Sequence, residues 1–259
     1  MCAMFQLCKN LESLDVRGFQ TGQVTDMSWM FQGCEKLKNL NLSGISTQKV
    51  MRFSSMFQDC KNLESLDVSG FITAEAKDMS GMFKNCNTVK SLNVKDFNTA
   101  HVTDMREMFS GCAGLKELDF SNFNTAQVQN MEGMFCKCTG LLTLDLSSFK
   151  TPQVKSMYSM FYDCNSLKEL DIRNFDTSNV KSMYCMFYGC SSLASVVIPS
   201  YVSSIGDYAF DGCSSLADVY YNEGISQWEK ISVDRNKNRP LFDATIHYYD
   251  RGIFRVIKG

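Results

Sequence analysis

The stretch MFSGCAGLKELDF, residues 108–120, contains a Met-Phe pair, a cysteine and an LxxLxF pattern of apolar residues. The same pattern recurs along the chain, and its cysteines stand 26 residues apart without a change of spacing. These cysteines are Cys8, Cys34, Cys60, Cys86, Cys112, Cys138, Cys164 and Cys190. Self-similarity with a period between about 20 and 50 residues is typical of a solenoid, a propeller or another repeat array.

Each 26-residue unit indicates a strand, a turn and a helix. Leu14 and Val16 alternate with polar neighbours, as in a strand. Thr21 begins a column of threonines that could cap a first helical turn, and residues 24–31 carry apolar side chains at helical spacing. Pro152 follows one of these threonines, where the first position of a helix tolerates proline. The unit therefore predicts one coil of a leucine-rich repeat.

We therefore expect an α/β repeat, a right-handed leucine-rich-repeat solenoid of about eight 26-residue coils with a short C-terminal cap. Residues 1–190 form the regular units, and residues 191–221 form a shorter unit because Cys213 follows Cys190 by only 23 residues. Residues 222–259 leave the repeat and form the cap.

The cap sequence allows more detailed predictions. NEGISQWEKISV predicts a short helix around Trp228, and ATIHYY and IFRVIK predict strands. We expect Trp228 and Phe242 to cover apolar surface of the last coil. The segment DRNKNRP, residues 234–240, indicates a solvated loop.

The cysteine column is interpreted as a ladder of reduced thiols in the core, since cysteine behaves as a small buried apolar residue. Stacked coils would bring neighbouring cysteines near enough for a disulfide, but equivalent side chains point the same way rather than toward each other. The spacing fits no zinc motif, so no metal is expected. Cys2, Cys136 and Cys185 lie outside the ladder and are expected to be exposed and oxidisable.

Composition argues against several classes of function. The formal net charge of −2 with mixed signs gives no basic footprint for nucleic acid. No apolar run approaches the ~20 residues that span a bilayer, and the first residues lack the features of a secretory signal. With two histidines and no nucleotide or nucleophile motif, neither catalysis nor a cofactor is expected.

The first residues already occupy core columns with nothing before them. Solenoids normally carry a polar cap at each end. We therefore expect a C-terminal portion of a longer chain or an open end that a partner covers, and self-association through this uncapped coil is one option.

The units NVKDFNTAHVTDMREMFSGCAGLKELDF (93–120) and VVIPSYVSSIGDYAFDGCSSL (196–216) resemble the two repeat types of the BspA-like leucine-rich-repeat family. The resemblance covers roughly residues 1–221. It implies a cell-surface or secreted protein that binds host matrix proteins or other cells, because members of that family are known mostly in this role.

One candidate binding surface is a stripe of Asp and Asn on the strand face that points away from the core. The stripe comprises Asp15, Asn41, Asp67, Asn93, Asp119, Asp145 and Asp171. Stacked carboxylates are expected to repel and to raise one another's pKa values. The stripe could form a ligand or cation site, or it could be a solubilising ladder with hydrogen bonds between coils.

A second candidate surface contains four tyrosines, Tyr158, Tyr162, Tyr184 and Tyr188. Each pair is spaced i, i+4 on the predicted helix, and the two pairs lie on adjacent coils. Tyrosine is enriched at protein interfaces, so the set suits a protein contact. The alternative is that these rings pack under the C-terminal segment.

The sequence therefore favours a non-catalytic protein-recognition or adhesion module. Its partner would be a protein, such as host extracellular matrix or another cell surface. The alternatives are an intracellular scaffold with the same fold and a surface that binds carbohydrate or cations through the Asx stripe.

Overall fold

The computed structural model describes residues 1–250 and 253–258 as a β-solenoid of about nine turns. This confirms the leucine-rich-repeat solenoid with 26-residue coils. The apolar columns of every coil merge into one continuous core, which runs from Val16 to Ile246.

Short strands mark the two ends of the array. They are β1 (Ser13–Asp15), β2 (Asn39–Asn41), β3 (Glu169–Asp171), β4 (Ser195–Ile198), β5 (Ser204–Ile205), β6 (Asp218–Tyr221), β7 (Ser232–Val233), β8 (Thr245–Asp250) and β9 (Ile253–Lys258). Strands β1 and β2 pair in parallel, β5 pairs in parallel with β7, and the largest sheet has the order β3-β4-β6-β8-β9. Only the β8–β9 pair in that sheet is antiparallel. Residues 42–168 form no regular strand at the equivalent positions.

A second line of parallel contacts joins the coils through isolated bridges between equivalent residues. These bridges link Asp26, Arg52, Asp78, Asp104, Asn130, Ser156 and Ser182 in succession. Main-chain hydrogen bonds continue beyond each bridge, as in the bond from Phe83 N to the Met108 carbonyl oxygen at 2.9 Å. Each coil is therefore bonded to its neighbours outside the strand face as well.

The helix predicted inside each coil is wrong. The segment instead forms successive turns, such as Met108 N to the Met105 oxygen (3.2 Å) and Cys112 N to the Phe109 oxygen (3.0 Å). Glu107 and Gly111 flank these turns with φ of 53° and 74°, and equivalent left-handed residues recur in the other coils. A right-handed helix cannot pass through such residues, so the helix-like apolar spacing comes from consecutive turns.

The threonine column joins coils instead of capping helices. The Thr99 hydroxyl donates to the Asn124 carbonyl oxygen at 3.0 Å and accepts from the Asn124 N–H at 2.8 Å. The same two-way contact is made by Thr21, Thr47 and Thr125. The buried Thr177 hydroxyl has no partner, at the point where the next unit is shorter.

The cysteine ladder is a row of free thiols. The Cys112 thiol donates to the Phe83 carbonyl oxygen of the preceding coil at 3.1 Å, and burial raises the pKa of this thiol to about 12. Of the cysteines outside the ladder, Cys2 is exposed and Cys136 is half-buried. The prediction of an exposed Cys185 is wrong, because its side chain is buried beneath the final 23-residue unit.

The cap packs against the last coil through α1 (Ile225–Trp228) and α2 (Arg239–Asp243). Trp228 and Phe242 are partly buried against the core, as expected. The prediction of a solvated loop at residues 234–240 is wrong at Asn238, because this residue is fully buried. Its amide donates to the Gly206 oxygen and accepts from Phe210 N–H, so it anchors the cap. The two helices described are four and five residues long, too short to cross a bilayer.

Replacing Thr99 by valine should lower the free energy of unfolding by about 1–3 kcal/mol, because it breaks a two-way contact and leaves both main-chain groups of Asn124 without this partner. Thr177→Val is the matched control, since it removes a hydroxyl that has no partner and should be neutral or stabilising. Urea unfolding followed by circular dichroism measures both. Equal losses in the two variants would contradict the role of the threonine ladder.

Candidate functional site

The Asx stripe lies exposed along one face of the solenoid in each of the seven coils that carry it. Every member accepts a hydrogen bond at its side-chain oxygen from the backbone N–H two residues later, at 2.9–3.2 Å. Only a short carboxylate or amide side chain forms this local turn, which explains the restriction to Asp and Asn. The expected hydrogen bonds between coils are therefore replaced by bonds within each coil.

The expected repulsion between stacked carboxylates does raise the pKa of Asp145, but hydrogen bonds lower this pKa more strongly. Hydrogen bonds from the Ser147 backbone N–H and hydroxyl lower the pKa of Asp145, and the neighbouring Asp119 raises it only slightly. The Ser121 groups likewise lower the pKa of Asp119. The hydrogen-bond donors of each turn therefore lower these pKa values more than repulsion between the carboxylates raises them.

Three adjoining cavities of about 580, 510 and 490 Å³ run along this face. We call them together the Asx groove, and the stripe lines it from Asn93 to Asp171. Arg173 pairs with Asp171 at 2.8 Å, and Lys95 lies 3.9 Å from Asp119. Two further acidic residues, Glu117 and Glu169, also line the groove.

Glu117 and Glu169 flank the stripe on the same side of the groove. Both are exposed, and neither carboxylate takes part in an ion pair or a side-chain hydrogen bond within the described residues. Asp145 likewise has no cationic partner there. The middle of the groove is therefore acidic, and some of its carboxylates have no structural role to prevent them from contacting a ligand.

The C-terminal end of the groove is aromatic. Strand register continues the stripe from Asp171 to Val197, Tyr220 and His247. The Tyr220 and His247 rings stack with centroids 4.5 Å apart, and His247 Nε2 lies 2.6 Å from Asp218 Oδ1. Sequence reasoning missed this end because the spacing changes after Cys190; the alternation in DVYY and TIHYY was the available signal.

The tyrosine set forms two stacked pairs across coils. Tyr158 stacks on Tyr184 with centroids 5.7 Å apart, and Tyr162 stacks on Tyr188 at 4.9 Å. The predicted i, i+4 relation on a helix is wrong, because these residues lie in turns. Tyr158 and Tyr184 are 45% and 38% exposed, so they do not lie under the C-terminal segment. A fifth ring, Tyr208, meets Tyr184 edge to face.

The other residues considered as catalytic or metal-binding candidates do not add to the two surfaces described above. His101 is exposed in a turn, far along the chain from His247. Within residues 1–250 and 253–258, no three His, Cys, Asp or Glu side chains are grouped as ligands for a metal ion.

In the first coil, Met4 and Leu7 are exposed apolar residues.

The coils stack through parallel contacts around columns of leucine, phenylalanine and cysteine. The protein is therefore a leucine-rich-repeat solenoid. The chain matches the family described as "Mycoplasma protein of unknown function, DUF285" over residues 1–117, 78–201 and 112–228. These ranges together span most of the chain, and the protein belongs to this family. No curated protein matches it.

Several solved structures are similar in part. A leucine-rich repeat protein from Bacteroides ovatus is 17% identical with a TM-score of 0.39, over 90% of this chain and 86% of that one. A leucine rich cell surface protein from Faecalibacterium prausnitzii is 19% identical with a TM-score of 0.32, over 89% and 78%. An internalin from Listeria monocytogenes is 14% identical with a TM-score of 0.35, over 92% and 66%.

Asp145→Asn should make stability less sensitive to acid. The folded-state pKa of Asp145 is lowered, so its ionised form stabilises the fold above about pH 4, and that contribution is lost as the pH falls further. Asparagine keeps the acceptor, as Asn93 does, but does not titrate. The urea midpoint of the variant should therefore drop less between pH 7 and pH 3. Glu64→Gln, an exposed control, should leave the drop unchanged, and equal behaviour of both variants would refute the assignment.

Proposed function

We propose that this protein is a non-catalytic recognition module of a cell-surface or secreted protein, and that the Asx groove binds a protein partner such as host extracellular matrix or another cell surface. The observation that carries the proposal is a continuous acidic groove whose Glu117 and Glu169 carboxylates have no ion pair in the described part of the chain. The resemblance to BspA-like proteins supports the surface location.

A protein partner suits the groove better than an isolated ion or a sugar. The groove extends across several coils, a length that matches an extended partner segment more than a single cation. Tyr220 and His247 stack on each other, which covers one face of each ring and leaves less aromatic surface for a pyranose. Carboxylates spread along a groove attract a basic protein surface and accelerate its association.

The test is capture of extracellular-matrix and serum proteins by the immobilised chain at low and high salt. In Glu117→Gln/Glu169→Gln the groove loses two charges and keeps its turns, so capture at low salt should fall strongly. Glu75→Gln/Glu229→Gln is the matched control, because it removes two exposed charges elsewhere and should leave capture unchanged.

Equal capture by wild type and the groove variant would exclude the Asx groove as the binding face. An absence of capture by the folded wild type, together with an intracellular location of the native product, would favour the alternative of an intracellular scaffold. Binding that requires a soluble glycan or a divalent cation would favour the carbohydrate or cation surface.

A further inference from the structure

The stacked rings of Tyr158, Tyr162, Tyr184 and Tyr188, with Tyr208 against Tyr184, form what we call the tyrosine ladder. Different groups lie against its two ends. At the C-terminal end, the Lys237 ammonium lies 5.7 Å from the centroid of the Tyr208 ring. The same ammonium is 2.6 Å from the Asp207 carboxylate. The chain itself therefore places a cation against an aromatic ring and a carboxylate at this end.

The N-terminal end of the ladder opens on a cleft of about 480 Å³, which we call the tyrosine cleft; Arg106, Glu132, Gly133, Lys137, Tyr158 and Tyr162 are among its lining residues. Tyr158 and Tyr162 stack through one face on the next coil, so their opposite faces are directed toward the preceding coil. That coil carries Glu132 and Cys136 at the equivalent positions, and no ring among the described residues stacks on these faces.

Backbone contacts hold the two sides of the tyrosine cleft in register. Gly133 N–H donates to the Tyr158 carbonyl oxygen at 2.9 Å, and Lys137 N–H donates to the Tyr162 oxygen at 2.6 Å. Gly133 has φ of +57°, and a Cβ there would stand 3.3 Å from Cγ of Glu107. A side chain at this position would therefore crowd Glu107, which also lines the cleft.

Some of the charged side chains around the cleft already form ion pairs, and one carboxylate does not. Arg106 is engaged by Asp104 at 3.1 Å, and Glu107 is engaged by Lys84 at 2.7 Å. The half-buried Glu132 carboxylate forms no ion pair with any described residue. An available carboxylate beside an aromatic face is the same pair of groups that Asp207 and Tyr208 present to Lys237.

We propose that the tyrosine cleft binds an arginine side chain of a protein partner, stacked on Tyr158 and paired with Glu132. Guanidinium is planar, stacks on aromatic rings and forms two parallel hydrogen bonds with a carboxylate, so it fits this pair better than ammonium does. The surface is separate from the Asx groove, so failure of either proposal leaves the other standing.

The test is an NMR titration of the full chain with the peptide acetyl-Gly-Ser-Arg-Ser-Gly-amide and with the same peptide carrying citrulline, which is neutral and nearly isosteric. Arginine should shift the resonances of Gly133 and Tyr158, and citrulline should bind roughly threefold to tenfold more weakly. Tyr158→Leu and Glu132→Gln should each lower the affinity for the arginine peptide by a similar factor. Tyr158→Phe keeps the aromatic face and should bind the peptide with nearly the affinity of the wild type.

Tyr201→Leu is the matched control, because Tyr201 is 72% exposed and does not line the cleft. Urea midpoints equal to that of the wild type establish that each variant is folded. The proposal is overturned if citrulline and arginine peptides bind alike, if the shifts map to the Asx groove alone, or if Tyr201→Leu weakens binding as much as Tyr158→Leu.

Discussion

The structure depends on hydrogen bonds between successive coils that recur at the same positions of the repeat. The threonine hydroxyl, the cysteine thiol and the bridge at Asp26 and its counterparts each bond to the neighbouring coil in the same way along the array. These contacts satisfy buried polar groups that would otherwise cost free energy, because a turn-rich coil has few partners of its own. Stacked phenylalanines, such as Phe83 and Phe109 with centroids 5.6 Å apart, fill the space between the bonded columns.

The two candidate surfaces arise from the same stacking. A residue repeated at one position becomes a line of side chains, so a column of Asp and Asn yields a groove and a short column of tyrosines yields a ladder. The groove keeps its turn acceptors occupied and leaves the flanking Glu117 and Glu169 available. The ladder has unstacked ring faces where the column changes identity, between Glu132 and Tyr158. Interruptions of the repeat are therefore as informative as the repeat.

The 26-residue period predicted the solenoid, the core columns and the stripe, and the local apolar pattern of ATIHYY and IFRVIK predicted the cap strands. The coil conformation was not predictable from that pattern, since turns and a helix share the spacing of Met105, Met108 and Phe109. Some residues directly before the cysteines, such as Gly33, Asn85 and Gly111, are the glycine or asparagine that a left-handed conformation favours, but Leu7 and Lys137 occupy the same position. Glu107 carries no such signal, and the aromatic end of the groove depended on a change of register after Cys190.

The unpartnered Thr177 hydroxyl marks where one kind of unit meets another. On the N-terminal side of that boundary, a whole 26-residue unit could be duplicated or deleted in a gene and every remaining threonine, thiol and bridge would still find its counterpart. Such a change would lengthen or shorten the groove without redesign of the core. Across the boundary the units are not interchangeable, so the length of the array is adjustable only on the N-terminal side of Thr177.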